Sequence, residues 1–416
     1  MFTRIRMKSS IMAFSLLLMG SIVSAQTIDW TQKANPLFLS VNGVAFRSDG
    51  QKVISGTNCH PAAIRMYDVS TAALEWDYNV GMTYMCIMGL TFSSNTGYIV
   101  AIEEFGNIFI FDNTGATPVI LDTINTGTSY GFSTAISPSN DKVAVGCSNG
   151  KLKIYNLADG SLSNDINAHP SWVTTVNYAP NGSRIVTGGS DDKVKIWSTS
   201  GSLLFTCNGH TGDITNVKIS PDNQYVVSSS KDNSIKIWEL STGILVRTIT
   251  GHLGDVNGID VSPDGSWIVS GSSDSTCKIW NFNSGVLVST FGVPDSGAVN
   301  TVSWSPSGDK IVTGNSLSDV VLWSIPSALG TGEEKLDNDL IVFPNPAQGN
   351  LSISIPFSST NNHLYIYNEL GQLQYETAVL NSKVHAINLE GFSPGVYFLV
   401  LKNDQGTNTV RVIVNN

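Results

Sequence analysis

Short runs of Val, Ile and Thr alternate with turns rich in Gly, Asp, Asn and Ser along most of the chain. Such runs, bounded by turn residues, are typical of short strands. Three segments align almost without adjustment: "IVTGGSDDKVKIW" ending at Trp197, "VVSSSKDNSIKIW" ending at Trp238 and "IVSGSSDSTCKIW" ending at Trp280. Their terminal tryptophans are 41 and 42 residues apart. The pattern predicts an all-β protein built from a repeat of about 40 to 45 residues.

Weaker copies extend the same register to seven units, the additional four ending at Tyr67, Phe111, Tyr155 and Trp323. Each unit is typical of a small antiparallel sheet of four strands. One such sheet cannot bury both of its faces, whereas seven sheets packed radially cover one another. The sequence therefore predicts a seven-bladed β-propeller over residues 26–327.

Two dipeptides, Gly209-His210 and Gly251-His252, together with the strand-ending tryptophans, make the repeat resemble the WD-repeat β-propeller family. The resemblance implies that each repeat supplies the outer strand of one blade and the three inner strands of the next. No seventh outer strand follows Trp323. We therefore expect the N-terminal segment Thr27–Lys33 to complete the last blade and close the ring.

The resemblance also implies a buried hydrogen-bond chain of His, Ser or Thr, Asp and Trp in each well-matched unit. These four side chains can satisfy one another in series. They are His169, Thr187, Asp191 and Trp197, then His210, Ser228, Asp232 and Trp238, then His252, Ser270, Asp274 and Trp280. The other four units lack part of the set, with Leu317 in place of the seventh Asp, and we expect their blades to rely on apolar packing alone.

No catalytic, cofactor-binding or metal-binding residue is predicted. The His, Ser and Asp of each repeat suggest a catalytic triad, but three identical triads and a structural reason for every member favour a structural role. The segment Gly127–Gly131 matches the GxSxG pattern of a nucleophile elbow. It lies between two strands rather than between a strand and a helix, which indicates chance composition.

A candidate binding ring follows from the fold, because propellers present their functional surface around one mouth of the central channel. Aligning every unit on Asp255 gives the equivalent residues Ser40, Cys86, Tyr130, Trp172, Asp213, Asp255 and Ala298. Aromatic side chains beside acids suit a protein or peptide hot spot, or a carbohydrate stacked on a ring. The alternative, that Trp172 only packs against a blade edge, stays open.

The N-terminal residues 1–25 have the features of a secretory signal peptide. A positive region with Arg4, Arg6 and Lys8 precedes the apolar stretch Ile11–Ile22 and the small residues Val23–Ala25. Its removal takes away three positive charges and no negative ones, which changes the net charge from -10 to -13. This charge argues against nucleic acid as a partner. No later apolar run is long enough to span a bilayer, so no transmembrane segment is predicted in the mature chain.

Five cysteines, an odd number without CxxC spacing, indicate neither a disulfide scaffold nor a zinc site. The alignment of the units places Cys59 and Cys86 on the same face of neighbouring blades. An exported chain meets an oxidising compartment, so these two cysteines are a candidate disulfide. Cys147, Cys207 and Cys277 stand in strands and are expected to be buried apolar side chains.

The repeat stops after Trp323, and the polar, acidic residues 328–340 have linker composition. Short alternating strands over 341–416 predict an immunoglobulin-like β-sandwich. The motif residues resemble the C-terminal sorting domain of Bacteroidetes type IX secretion (Por secretion) cargo; they are Pro344, Asn345, Pro346, Gly371, Gly395 and Tyr397. The resemblance implies contact with the type IX machinery, transport across the outer membrane, removal of this domain, and release or attachment at the cell surface.

Together these features predict a secreted or cell-surface WD-repeat propeller that acts as a binding scaffold for an unknown protein, peptide or glycan. Two alternatives stay open. The chain could be an extracellular hydrolase or other enzyme with its site in the propeller mouth, or a purely structural surface or adhesion component.

Overall fold

A computed structural model describes two compact units, Met1–Thr331 and Gly332–Asn416. The described residues are 27–33, 40–57, 63–79, 86–95, 97–115, 117–127, 130–292, 297–325, 341–348, 350–354, 362–368, 372–379, 384–389, 391–403 and 406–414. The expected signal peptide (1–25) and linker (328–340) lie outside them. Every regular element of the described residues is a β-strand. None of these residues forms a helix that could cross a membrane.

The first unit contains seven four-stranded antiparallel sheets among its described residues. The closing strand and blades 1 to 3 consist of β1 (Thr27–Lys33), β2 (Val41–Phe46), β3 (Lys52–Thr57), β4 (Ala63–Asp68), β5 (Leu74–Asn79), β6 (Ile87–Phe92), β7 (Tyr98–Glu103), β8 (Asn107–Asp112), β9 (Val119–Asn125), β10 (Gly131–Ile136), β11 (Lys142–Cys147), β12 (Lys151–Asn156) and β13 (Leu162–Asn167). Blades 4 to 7 consist of β14 (Val173–Tyr178), β15 (Arg184–Gly189), β16 (Val194–Ser198), β17 (Leu203–Cys207), β18 (Ile214–Ile219), β19 (Tyr225–Ser230), β20 (Ile235–Glu239), β21 (Leu245–Ile249), β22 (Val256–Val261), β23 (Trp267–Ser272), β24 (Cys277–Asn281), β25 (Leu287–Phe291), β26 (Val299–Trp304), β27 (Lys310–Asn315) and β28 (Asp319–Ser324).

The ring closes through the N-terminal strand, as the sequence predicted. The last blade has the strand order β1-β28-β27-β26, so β1 forms its outer edge. In this pairing Ile28 lies opposite Trp323, and the Nζ of Lys33 is 2.7 Å from the carboxylate of Asp319. The two ends of the propeller are therefore held together by a backbone ladder. The seven-bladed, all-β fold is confirmed.

The apolar core lies between neighbouring blades, because each sheet is too thin to enclose a core of its own. In all seven blades the second strand is buried from its second residue to its last. One such core joins Val186 and Ile196 of blade 4 to Val217 and Trp238 of blade 5. The outer strands are mostly exposed, as β5 shows.

Each innermost strand has a β-bulge near its start. The register shifts between its first and third residues in every blade, which leaves the second residue at the bulge. Bulges change the direction of a side chain. These seven bulge residues all line the central channel; they are Asn42, Met88, Phe132, Thr174, Thr215, Asn257 and Asn300.

The second unit is a β-sandwich built from β29 (Ile341–Gln348), β30 (Asn350–Ser354), β31 (Asn362–Asn368), β32 (Leu373–Val379), β33 (Val384–Asn388), β34 (Gly395–Asn403) and β35 (Gly406–Val414). β29 pairs with β30 and also with β35, so it connects the two layers. Leu351 and Ile387 from one layer pack with Leu364, Leu399 and Val412 from the other. This is the layered packing of the predicted immunoglobulin-like fold.

Candidate functional site

Six residues of the candidate ring occupy equivalent backbone positions. In each case the carbonyl oxygen accepts a hydrogen bond of 2.9–3.0 Å from the residue that follows the second strand of the same blade. These six are Cys86, Tyr130, Trp172, Asp213, Asp255 and Ala298. Ser40 directly precedes β2, and its hydroxyl donates to the side-chain oxygen of Asn42 over 3.0 Å. All seven residues therefore stand where the chain enters an innermost strand.

Exposed aromatic side chains concentrate at one sector of this ring. Tyr130 is 41% exposed and Trp172 is 50% exposed. Tyr130 stacks on Phe105, with ring centroids 6.1 Å apart, and Trp172 stacks on Phe132 at 5.2 Å. We call Phe105, Tyr130, Phe132 and Trp172 the aromatic row. It crosses the two joints between blades 2, 3 and 4, and its members Phe105 and Phe132 were not predicted.

The bulge residues explain why the row is confined to these joints. Five of them donate a side-chain hydrogen bond to the first carbonyl of the next blade's innermost strand. For example, Asn257 donates to Val299 over 3.0 Å and Asn300 donates to Val41 over 3.2 Å. Met88 and Phe132 carry no donor. The joints that lack this polar link are therefore the two that the aromatic row crosses.

The channel inside the ring is a cavity of about 610 Å³ with mainly amide, hydroxyl and apolar walls. Among the described residues that line the channel, Lys218 and Tyr178 are the ones with an ionisable side chain. The Nζ of Lys218 is 3.2 Å from the carboxylate of Asp260. Phe132 belongs both to this lining and to the aromatic row. The row therefore continues into a channel with little net charge.

The two ring acids lie in blades 5 and 6, beyond the aromatic row. The carboxylate of Asp213 is 2.9 Å from the Nζ of Lys231. The backbone of Asp255 accepts from Ser273 over 2.9 Å, and its side chain is half-buried. The structure thus keeps the acids on the same ring as the aromatic residues but in a separate sector.

Three blades contain the complete hydrogen-bond chain. In blade 5, Trp238 Nε1 donates to the Ser228 hydroxyl over 2.8 Å, His210 Nε2 lies 2.9 Å from that hydroxyl, and His210 Nδ1 lies 2.7 Å from Asp232. Blades 4 and 6 repeat this geometry within 2.7–2.9 Å, through His169, Thr187, Asp191 and Trp197, and through His252, Ser270, Asp274 and Trp280. The imidazoles are at most 1% exposed, so they serve the packing of the blades.

Burial keeps these imidazoles neutral. It lowers the pKa of His169, His210 and His252, although the neighbouring carboxylate acts in the opposite direction. Burial alone would raise the pKa of Asp232, but hydrogen bonds from Ser234 and His210 outweigh it and lower that pKa. Each chain therefore contains a neutral imidazole near neutral pH, and in blade 5 that imidazole faces an ionised carboxylate.

The expectation that the other blades rely on apolar packing alone is wrong for blades 2 and 7. In blade 7, Trp323 Nε1 donates to the Thr313 hydroxyl over 3.0 Å. Asn315 then accepts from the backbone of the turn, where Leu317 replaces the Asp. In blade 2, the buried carboxylate of Glu103 accepts from Phe105 N over 2.8 Å. In both blades a polar residue, Asn315 or Glu103, stands two positions before the place of the missing Asp and accepts the hydrogen bonds from the turn instead.

The cysteines divide into two groups. Cys86 is disulfide-bonded, whereas Cys147, Cys207 and Cys277 are buried thiols. The expected partner of Cys86 is Cys59, which lies outside the described residues, so the Cys59–Cys86 pairing stays a prediction. Residues 128 and 129 of the GxSxG segment also lie outside the described residues. The described part of the chain brings no three His, Cys, Asp or Glu side chains together as a metal site.

The sorting motif stands at defined positions of the sandwich. Pro344-Asn345-Pro346 occupies the part of β29 between its pairing with β30 and its pairing with β35. Proline lacks the N–H that a ladder needs, which accounts for the switch there. Gly395 begins β34, and Tyr397 OH donates to Ser393 O over 2.8 Å, a contact like the tyrosine corner of immunoglobulin folds. Gly371 lies outside the described residues.

The class of protein that these features define is a seven-bladed propeller, with repeated buried hydrogen-bond chains, joined to a β-sandwich. Residues 160–198, 201–239, 243–281 and 285–324 match the family "WD domain, G-beta repeat". Residues 341–415 match the family "Secretion system C-terminal sorting domain". The chain is thus a WD-repeat propeller with a type IX sorting domain, which directs it to the cell surface or the extracellular space. WD repeats of this kind are typical of interaction scaffolds.

Curated relatives match short stretches of the chain. WD repeat-containing protein 3 from Homo sapiens is 35% identical over 68 residues, 16% of this chain and 7% of that protein. Protein groucho from Drosophila melanogaster is 29% identical over 94 residues, 23% of this chain and 13% of that protein. Beta-agarase A from Zobellia galactanivorans is 34% identical over 80 residues, 19% of this chain and 14% of that protein. The chain therefore covers only a small part of each of these relatives.

Proposed function

We propose that this chain is an exported binding scaffold. Its ligand is a protein, peptide or glycan, which binds at the mouth of the central channel that the candidate ring surrounds. The observation that carries the proposal is the aromatic row, since Tyr130 and Trp172 stay 41% and 50% exposed while stacked on neighbouring rings. Rigid, exposed aromatic side chains supply contact area at a small loss of conformational entropy. Aromatic side chains are enriched in binding interfaces relative to the rest of a protein surface.

The rest of the mouth supports a binding role. The entry positions are fixed by backbone hydrogen bonds within each blade, and neighbouring blades share apolar cores. A ligand would therefore meet a preformed surface. His169, His210 and His252, the described histidines of the propeller, are buried in structural chains, so the described part of the mouth presents a stacking surface without an exposed imidazole.

The binding proposal is tested with the exported protein on two probe sets, a displayed peptide library and an array of oligosaccharides. We expect at least one probe to bind and to raise the melting temperature of the propeller. The substitutions Tyr130→Ala and Trp172→Ala should abolish this rise, whereas Ile244→Ala, at a 62% exposed side chain directly before the outer strand β21 of blade 5, should leave it unchanged. Absence of binding to both sets would contradict the scaffold proposal and favour a purely structural surface component.

Export by the C-terminal domain is tested separately. We expect a species near residues 26–340 at the cell surface or in the medium, because the signal peptide and the sorting domain are both removed. Deletion of residues 341–416 should leave the propeller in the periplasm. Tyr397→Phe, which removes only the hydroxyl that contacts Ser393, should still be exported. A full-length species retained in the periplasm would contradict the processing step.

A further inference from the structure

We propose that the aromatic row binds a neutral polysaccharide, with one sugar ring stacked on Trp172 and another on Tyr130. This inference rests on the proposed binding function of the same mouth and names the chemistry of its ligand. The C–H bonds on one face of a pyranose ring carry partial positive charge, and they are attracted to the negative face of an aromatic ring.

The stacking geometry supports this assignment. Trp172 lies on Phe132 with an angle of 30° between the rings, and Tyr130 lies on Phe105 with an angle of 29°. Each exposed ring is thus supported by a second ring inclined to it by about 30°, while Tyr130 and Trp172 keep 41% and 50% of their surface exposed for a ligand. An open aromatic platform fits the C–H face of a pyranose ring, whereas the hot spots of protein interfaces cluster in well-packed, desolvated pockets.

The backbone hydrogen bonds fix the platforms further. The carbonyl of Trp172 accepts from Ser190 N over 3.0 Å, and Trp172 N donates to the Ser190 hydroxyl over 3.1 Å. The carbonyl of Tyr130 accepts from Ser148 N over 3.0 Å. The backbone that carries each platform is therefore held within its own blade, Tyr130 in blade 3 and Trp172 in blade 4.

The adjoining channel supports a neutral ligand with many hydroxyl groups. Its walls present amides such as Asn216 and hydroxyls such as Ser133 and Thr134, and Phe132 connects them to the row. Amides and hydroxyls both donate and accept, as sugar hydroxyls require. Lys218 is paired with Asp260, so the described residues of the channel offer an acidic polymer no unpaired lysine, and the net charge of -13 expected after removal of the signal peptide would repel such a polymer.

A peptide ligand is the competing class. Peptides are held by sheet edges, hydrophobic grooves or charged pockets. The rings of the aromatic row lie on turns and at the starts of innermost strands, so they present separate stacking faces rather than a continuous groove. The structure therefore favours the glycan over the peptide.

The test is affinity electrophoresis of the full exported protein in gels that contain hydroxyethylcellulose, laminarin, xylan or galactomannan, with alginate as the charged control. We expect retardation by at least one neutral polysaccharide and none by alginate. Trp172→Ala and Tyr130→Ala should each weaken binding about tenfold, and Trp172→Phe should retain most of it. Ile244→Ala, directly before the outer strand β21 of blade 5, is the matched control, and far-UV circular dichroism verifies the fold of each variant.

The outcomes separate this inference from the proposed function. Retardation by neutral polysaccharides that is lost in the Trp172 and Tyr130 variants supports the inference. Binding of a displayed peptide through Trp172, without any retardation by the four polysaccharides, overturns the glycan and leaves the scaffold proposal intact. If neither a peptide nor a polysaccharide binds, the glycan inference and the scaffold proposal are both overturned. Retardation that survives both alanine substitutions also overturns the inference, because it would locate the glycan elsewhere.

Discussion

Trp30 Nε1 donates a hydrogen bond to the carbonyl oxygen of Val69 over 2.9 Å. This contact joins two different blades, since Trp30 belongs to the strand that closes blade 7 and Val69 follows the third strand of blade 1. The Trp30 ring also lies 6.0 Å from the ring of Tyr67. The closing strand is therefore tied to the last blade by its backbone and to the first blade by the side chains of Trp30 and Gln32, the latter donating to the carbonyl of Ala72 over 3.1 Å.

Trp30→Ala should destabilise the closed ring, because it removes both the hydrogen bond and the packing on Tyr67. We expect a loss of about 2 kcal/mol in the free energy of unfolding, less than for a fully buried tryptophan. Trp30→Phe keeps much of the packing and should lose about 1 kcal/mol. Urea unfolding of the propeller measures both. Ile28→Ala, at a 48% exposed position of the same strand, is the control, and an equal loss there would refute a special role for Trp30.

Ser228→Ala should be among the most damaging small changes in the propeller. It leaves the buried Trp238 Nε1 and His210 Nε2 without their shared hydroxyl, at a cost of about 3 kcal/mol. Thr313→Val in blade 7 leaves one N–H unpaired, so about 1–2 kcal/mol is expected. Ser241→Ala, in an exposed turn, should change stability by less than about 0.5 kcal/mol. Equal losses at the three positions, measured by urea unfolding, would contradict the assigned role of the chains.

Stability should fall as the pH drops below about 6.5, the ordinary pKa of histidine. Because burial lowers the pKa of His169, His210 and His252, the unfolded chain binds more protons than the folded one in this range. Unfolding therefore becomes easier on acidification, by up to about 1.4 kcal/mol per pH unit for each histidine. Below about pH 4 the lowered pKa of Asp232 adds to the loss.

The urea midpoint of the propeller at pH 7.5, 6.5 and 5.5 measures this dependence. His252→Gln removes one of the three titrating groups and should reduce the slope between pH 6.5 and 5.5 by about one third. Tyr130→Ala, at the exposed ring, is the control and should keep the original slope. A midpoint that rises on acidification would show that the pKa of these imidazoles is raised in the folded protein, and would overturn the argument.

Much of the fold could be predicted because the same strand and turn pattern recurs in every blade. The tryptophans spaced by 41 and 42 residues identify the blades, and the leftover segment that contains Trp30 identifies the closing strand. The same alignment found Tyr130 and Trp172, since entry positions are fixed by register. The position of a residue that recurs in every repeat can therefore be predicted from the sequence.

The remaining features of the site could not be predicted, because they depend on side-chain contacts between neighbouring blades and within turns. Phe105 stands at the turn position that Asp191 and Asp232 occupy in other blades, and this apolar replacement was the available signal for its exposure. The bulge that turns Phe132 toward Trp172 has no signature in one sequence. Glu103 was missed because its carboxylate acts from two positions before the expected Asp.

We predict that Cys86 forms its disulfide with Cys59. Cys86 is disulfide-bonded and the other three described cysteines are thiols. Peptide mapping without reduction should therefore yield one linked pair that contains both residues, and three alkylated cysteines. A crosslink over a loop of this length contributes about 3 kcal/mol, so reduction should lower the melting temperature. The double variant Cys59→Ser/Cys86→Ser should lose this sensitivity to reductant. Five alkylated cysteines in the unreduced protein would contradict the pairing.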